Sequence, residues 1–518
     1  MNVARKNALL ITACRAMCVA LGGMSAVTPA LAQEADTEKP IAGNTASLGD
    51  EARTDLERGL TEVVRDWINR QKRTNPQAIA VNVVLGGKGD DVLVMIGSGY
   101  IADDYDEIED GMHEITELIR IHARKVLEVY EVSFLFDGRD VFEYFPEDAG
   151  PPRQPVSEHL GFEIQSGGYQ PRLLVSAGHG IYWKTGDKAW ATQRSLSNGI
   201  VEDYATPAFA RDLDRYLVER SGAKVFRARS TKNDLHADSK KRWYEMAARY
   251  WLKELLPDFP EVWNSKPGVG GNIEHQKQDI RSRPFYANYL GADALIHLHT
   301  NASDKDPEAR GIRVYYYTGR LADQKLASLA LCYMQESLKT NEAFSNFPVA
   351  PKPHPQNHGE NRLAAMPSIV AELGFHTNKE DAAAIGSYVF RDLTMRGLEK
   401  AYRMFREGRG CEPFTVQHPE VNLVSDMPFK ANLVFGGAPR FPVKYEMAVA
   451  ECTPGIICTP RYGRFNDPAS PLTIDYGCTA TKDHPFTIKW DASFIDADGI
   501  AAKAPVTMTC KPKASRRA

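Results

Sequence analysis

After its first 32 residues this 518-residue chain has no run approaching the roughly 20 apolar residues of a membrane span. A transmembrane helix in the body of the protein is thereby excluded. Long basic blocks are also missing, which argues against a nucleic-acid partner. Cysteine is nearly absent from the first four-fifths: after Cys14 and Cys18, only Cys332 precedes Cys411. The other five, Cys411, Cys452, Cys458, Cys478 and Cys510, crowd the tail. In an exported protein such clustering reads as disulfides rather than as a metal site.

What is present is globular. Hydrophobic residues make up 43% and charged residues 25%, enough to bury sizeable cores. The length calls for roughly two to four domains. Residues 1–32 place basic residues first, then an apolar stretch, then Ala30-Leu31-Ala32, the pattern of a secretory signal peptide. Its removal takes away Arg5, Lys6 and Arg15 and moves the net charge from −4 to about −7. The expected location is therefore outside the cytoplasm, periplasmic or extracellular.

Residues 33–50 are polar and read as a mobile leader. From 51 to 148 the pattern is that of a small α/β domain. Leu56, Leu60, Val63, Val64 and Trp67 form a helical stripe, two strand-like runs follow, and a long helix is expected over "EIEDGMHEITELIRIHARKVLEVY". "VSFLFDGRDVFEYF" then suggests two strands about Asp137-Gly138. His113 and His122 lie nine positions apart on that helix, off the spacing that brings side chains together, and read as surface residues. Residues 149–170, rich in Pro and Gly, read as a linker.

Between 171 and 409 strands and helices alternate, which implies a mostly parallel sheet flanked by helices. Residues 231–280 form a long insertion whose piece "KKRWYEMAARYWLKELL" has helical periodicity; it is expected either to shape or partly cover the cleft or to pack away from it as a surface subdomain. From 410 to 518 short β-type runs separated by Gly, Pro and Asp suggest a small antiparallel sandwich.

In open α/β sheets ligands gather at the carboxyl ends of strands. There "RLLVSAGHG" ends on His179, "ALIHLH" on His299 and "SIVAEL" on Glu372, while Glu202 starts the helix after the first strand. Two histidines and a carboxylate are a standard ligand set for one catalytic zinc ion, and a further acidic group beside its water supplies a general base. Leu295, His297 and His299 share one strand face, but two residues span about 6.6 Å of rise. Only His299, nearer the carboxyl end, should reach the site; His297 should lie one rung deeper as a supporting or core residue. His354 and His358, in the Pro-rich "APKPHPQNHGENR", read as surface or substrate-facing.

Five stretches, "LLVSAGHG", "NGIVEDYATPAFARDLDRYLVERSGAKVFRARS", "RPFYANYLGADALIHLHTNAS", "GIRVYYY" and "PSIVAELGFHTNKEDA", resemble in order and spacing the zinc-dependent N-acetylmuramoyl-L-alanine amidases. The resemblance covers about residues 171–408. It implies that His179, Glu202 and His299 bind zinc and that Glu372 is catalytic. It further implies a peptidoglycan or muropeptide substrate, cell-wall remodelling, and room for a protein activator. The text "GHGIYWKTGDKAW" departs from the second glycine and acidic residue usual after the family's first histidine. Cleavage of another amide, or a non-catalytic wall-binding scaffold, therefore stays open. For the cysteines the even solution is Cys332–Cys411, Cys452–Cys458 and Cys478–Cys510, against the alternative of Cys332 as a buried free thiol.

Overall fold

In a computed structural model of the protein, the described residues are 48–71, 78–87, 90–151, 169–267, 272–480 and 484–513. The expected signal segment and most of the leader and linker lie outside them.

The first helix, α1 (Asp50–Arg70), turns Leu60, Val64 and Ile68 inward at four-residue spacing. They pack on a sheet of β1 (Val81–Leu85), β2 (Asp91–Ile96) and β3 (Glu131–Phe136), in which β1 runs antiparallel and β3 parallel to β2. Helix α2 (Tyr105–Ala123) crosses between β2 and β3. It stops earlier than its sequence periodicity suggests because Leu127 and Val129 are drawn into the sheet's core. The second strand-like run does not form a strand. Its Val141–Glu143 makes a short 3-10 turn, with Asp140 capping Phe142 N–H at 2.8 Å.

The central sheet contains β4 (Arg172–Ala177), β7 (Lys224–Arg227), β8 (Ala294–Asn301), β9 (Ile312–Tyr316), β10 (His354–Pro355) and β11 (Ser368–Phe375), in the order β10-β9-β11-β8-β4-β7. A hairpin of β5 (Tyr182–Lys184) and β6 (Ala189–Ala191) stands apart from it. The mostly parallel expectation holds, with β9 antiparallel to β11. Both faces are covered, so strands read as continuous apolar runs. On one face Leu173, Val175, Ile296 and Leu298 share a core with α3 (Glu202–Ser221), α7 (Leu321–Leu338) and α10 (Tyr388–Arg406). Leu174 and Leu295 share the opposite core with α4 (Ala248–Leu255) and α6 (Asn272–Leu290). By strand alternation His297 and His299 lie on the Leu295 face. The short helices α5 (Pro260–Trp263), α8 (Gly359–Arg362) and α9 (Lys379–Ile385) complete the helix set of the described residues.

The helix expected in the insertion is shortened to α4, with a 3-10 turn over Trp243–Glu245 before it. Met246 is pulled instead into an extended bridge with Ile181, next to the His179 turn.

The tail is strand-rich. Strands Val421–Val424, Ala501–Lys511, Phe486–Ile495, Val443–Cys452 and Arg461–Phe465 form one five-stranded sheet in that order, beside two two-stranded ones. One pairing, Val421–Val424 with Ala501–Lys511, is parallel rather than antiparallel. The disulfides are Cys332–Cys411, Cys452–Cys458 and Cys478–Cys510, the even pairing. The first fastens α7 to the segment beyond α10.

Of the two histidines read as surface residues and the two read as surface or substrate-facing, three are partly or wholly covered. His113 is half-buried, with Nε2 at 2.8 Å from the Asn357 carbonyl, and its ring lies 4.8 Å from that of His358. His354 is buried and His358 half-buried, whereas His122 is exposed. Helix α2 packs here through polar groups because its inward face carries Asp106, Glu109 and Arg120. Buried Glu109 pairs with buried Arg362 at 2.7 Å.

Burial would raise the Glu109 carboxyl, but the Arg362 guanidinium, the Lys277 and His113 charges and the hydrogen bond from Arg362 together outweigh it and hold the group at about 2. In the unfolded chain the same group protonates near about 4.3. The pair's stabilisation is thus complete above that value and is lost as pH falls towards 2. Glu109→Gln should destabilise by about 3 kcal/mol at neutral pH in denaturant unfolding. Its difference from wild type should shrink steadily as pH falls below about 4. A penalty that did not change with pH would contradict the ion-pair account.

Candidate metal centre and active site

The site lies at the carboxyl edge of β4, β8 and β11. His179 follows β4 in a turn that places it in the left-handed region, at φ 56°, with Gly180 at φ 126°. Three contacts enforce this shape. Gly178 N–H donates to the Leu298 carbonyl at 2.9 Å, and Gly180 N–H donates to Asp203 Oδ1 at 2.9 Å. A Cβ on Gly180 would meet Ala247 N at 2.6 Å, so the insertion leaves no room for a side chain there.

Glu202 opens α3, where a carboxylate also favours the helix N-terminus. Its Oε1 lies 3.0 Å from His299 Nδ1 and 3.4 Å from His179 Nε2, and accepts the Thr300 N–H at 2.9 Å. The two imidazole rings stand edge-on, 4.8 Å apart. His179, Glu202 and His299 are all buried, with one donor atom from each within 4.8 Å of the others. They form a group that could hold a metal ion. Two donors on a tetrahedral ion at roughly 2.0–2.1 Å sit about 3.3 Å apart. The two separations from Glu202, 3.0 and 3.4 Å, bracket that spacing, so the residues fit such an ion.

Glu372 sits directly opposite His299 in the parallel register of β11 and β8. Burial pushes its carboxyl up to about 8, with Glu202 and Glu360 adding to the rise and His299 opposing it. The histidines diverge. Burial, helped by the Arg194 charge, keeps His179 well below its usual value. Burial would lower His299 too, but Glu360 and Glu202 hold it up at about 10.

All four site residues read from the sequence therefore come to one strand edge. His297 is fully buried beneath them, and its Nδ1 lies 3.4 Å from Glu360 Oε1 without hydrogen-bond geometry. Sequence reading missed Glu360, whose Oε1 accepts from His299 Nε2 at 3.2 Å. It also missed Gln193 at 3.0 Å from His179 Nδ1, Arg194 at 3.6 Å from Glu202 Oε2, and His376 at 3.0 Å from Thr300 Oγ1. The only available signal was the loop "PHPQNHGENR", singled out for its histidines while the acting residue was the glutamate beside them.

Comparison with known proteins finds amidases. Residues 173–401 match the family model described as N-acetylmuramoyl-L-alanine amidase, so the resemblance read from the sequence is shown for that stretch. Among solved structures, the chain is similar to the N-acetylmuramoyl-L-alanine amidase from Clostridium difficile 630. There the identity is 18%, with 46% of this chain and 99% of that one covered and a TM-score of 0.32. It is also similar to the catalytic domain of an amidase from Bacillus (Paenibacillus) polymyxa var. colistinus, at 16% identity, 45% and 96% coverage and a TM-score of 0.29. An amidase of Nostoc punctiforme gives 16% identity, 45% and 96% coverage, and a TM-score of 0.29. No curated protein matches.

A Cβ on Gly178 would lie 2.5 Å from Cε1 and Nδ1 of His299. Gly178→Ala should therefore push that ring aside and weaken metal binding by roughly 10-fold or more in titration of the metal-free protein. Wild-type affinity in this variant would show that the ring is not fixed by the turn.

Proposed function

We propose that the protein is an exported, zinc-dependent N-acetylmuramoyl-L-alanine amidase that cleaves the amide between muramic acid and the peptidoglycan stem peptide. The observation that carries this reading is the convergence of His179 Nε2 and His299 Nδ1 on Glu202 Oε1, with Glu372 on the adjoining strand. His179, Glu202 and His299 would hold one zinc ion. Zinc in that position polarises an amide carbonyl and makes water a stronger acid.

The chain's own groups do the rest. Glu372, which has no metal-holding task in this scheme, takes a proton from the attacking water and delivers it to the leaving amine. The buried walls exclude bulk water and strengthen each charge interaction. Separate apolar cores, one in each flanking region and two on the faces of the central sheet, support the division into a small α/β domain at 51–148, a catalytic domain at 171–409 and a β domain at 410–518. The three disulfides fit an oxidising compartment, as expected after signal removal. Among the described residues no helix is long and apolar enough to cross a membrane.

The test is digestion of purified peptidoglycan with and without a chelator, with the fragments weighed by mass spectrometry. Stem peptides should be freed from muramic acid, and the chelator should stop it; uptake of the polymer without new amino termini would favour a scaffold. Glu372→Gln should retain fold and metal while the rate falls by roughly 10²–10⁴-fold. His299→Ala should lose stoichiometric zinc and His297→Ala should keep it. The reverse would mean that the strand register has been misread.

A further inference from the structure

The outer nitrogens of both candidate ligand histidines are engaged, and one chain of buried and half-buried polar groups joins them. From His299, Nε2–H donates to Glu360 Oε1 at 3.2 Å. Glu360 Oε1 accepts from the Arg283 guanidinium, whose other arm donates to Asp279 Oδ2. Asp279 Oδ2 accepts from Gln193 Nε2 at 3.1 Å, and Gln193 Oε1 accepts from His179 Nδ1–H at 3.0 Å. Arg283 and Asp279 are fully buried, and Glu360 nearly so.

We propose that Glu360, Arg283, Asp279 and Gln193 act as one positioning relay that fixes the orientation of both histidines, so that His299 Nδ1 and His179 Nε2 face the metal. This rests on the zinc reading above. The argument is geometric. An imidazole can rotate about its Cβ–Cγ bond, and only a partner on the outer nitrogen decides which nitrogen points inward and carries no proton. Here the partners are opposite in kind, a carboxylate for His299 and a neutral amide for His179. Arg283 suits the centre because its rigid planar fork donates to two carboxylates in fixed directions, a geometry that the flexible ammonium of a lysine does not impose.

The relay is itself held from outside. Asp279 Oδ1 accepts the Arg249 N–H at 3.0 Å from α4, in the insertion. Glu360 stands on α8 two residues before Arg362, which the Glu109 carboxylate of α2 clamps at 2.7 Å. The insertion therefore buttresses the metal site through Arg249 and Asp279.

The experiment uses the full chain and zinc alone, titrated against a competing chelator, with thermal melts of the metal-free protein in parallel. Glu360→Gln and Gln193→Leu should each weaken zinc binding by roughly 10–100-fold. Gln193 is half-buried and neutral, so its variant should melt with wild type; if Glu360→Gln does not fold, Gln193→Leu carries the test alone. The double variant should lose less than the product of the single losses, because one relay is broken twice. Unchanged affinity in a folded single variant would overturn the proposal. A double loss equal to that product would overturn the claim that the two ends form one network. Failure of the zinc reading looks different: wild type itself would bind no zinc, or His299→Ala would bind it as wild type does.

Discussion

The site depends on one oxygen, Glu202 Oε1, which two imidazoles and a backbone N–H approach together. Taking three ionisable side chains out of water is unfavourable unless each finds a partner. The fold meets this cost at the sheet edge, where turns and strand ends leave backbone N–H groups free to be donated. Thr300 N–H serves Glu202 itself, while the Gly180, Gln193 and Arg194 N–H groups converge on the neighbouring Asp203 carboxylate. The left-handed conformation of His179 is the strain accepted to aim that ring.

The same need for partners explains helix α6. Gln278, Asp279, Arg281, Ser282 and Arg283 are all buried within it, a composition that no apolar neighbour could cover. A helix polar on so many sides gains little stability by itself and must be surrounded by complementary charge. That charge comes from the N-terminal unit through Asp110 and Asp148, from the insertion, and from α8 through Glu360. The N-terminal unit is therefore tied to the site by ion pairs and hydrogen bonds rather than by a shared apolar core. Its buried charges make the docking specific, since any shifted arrangement would strand one of them.

Much of this was legible in the chain. The strand "ALIHLHTN" announced itself by its apolar run, and period two placed His299 above His297 on one face; both follow from local geometry. Glu202 and Glu372 were legible for the same reason, as polar residues where an apolar strand ends or a helix begins. The shortened α2 and α4 were not. Leu127 and Met246 are good helix residues that tertiary burial or a bridge to Ile181 claims instead. The surface half of the reading of His354 and His358 failed because a Pro-rich loop normally lies exposed, and here the N-terminal unit covers it.

The sequence by itself determined the alternation of strands and helices and the four polar residues at the carboxyl edge, while the structure decided for the even cysteine pairing over a free Cys332. The first two depend on neighbours within a few residues. Only the tertiary structure decided which distant side chains hold those four in place. Glu360 meets His299 across 61 positions, and Gln193 meets Asp279 across 86. No local pattern marks such partners, because hydrogen bonds at that range are selected by packing after the layers have assembled.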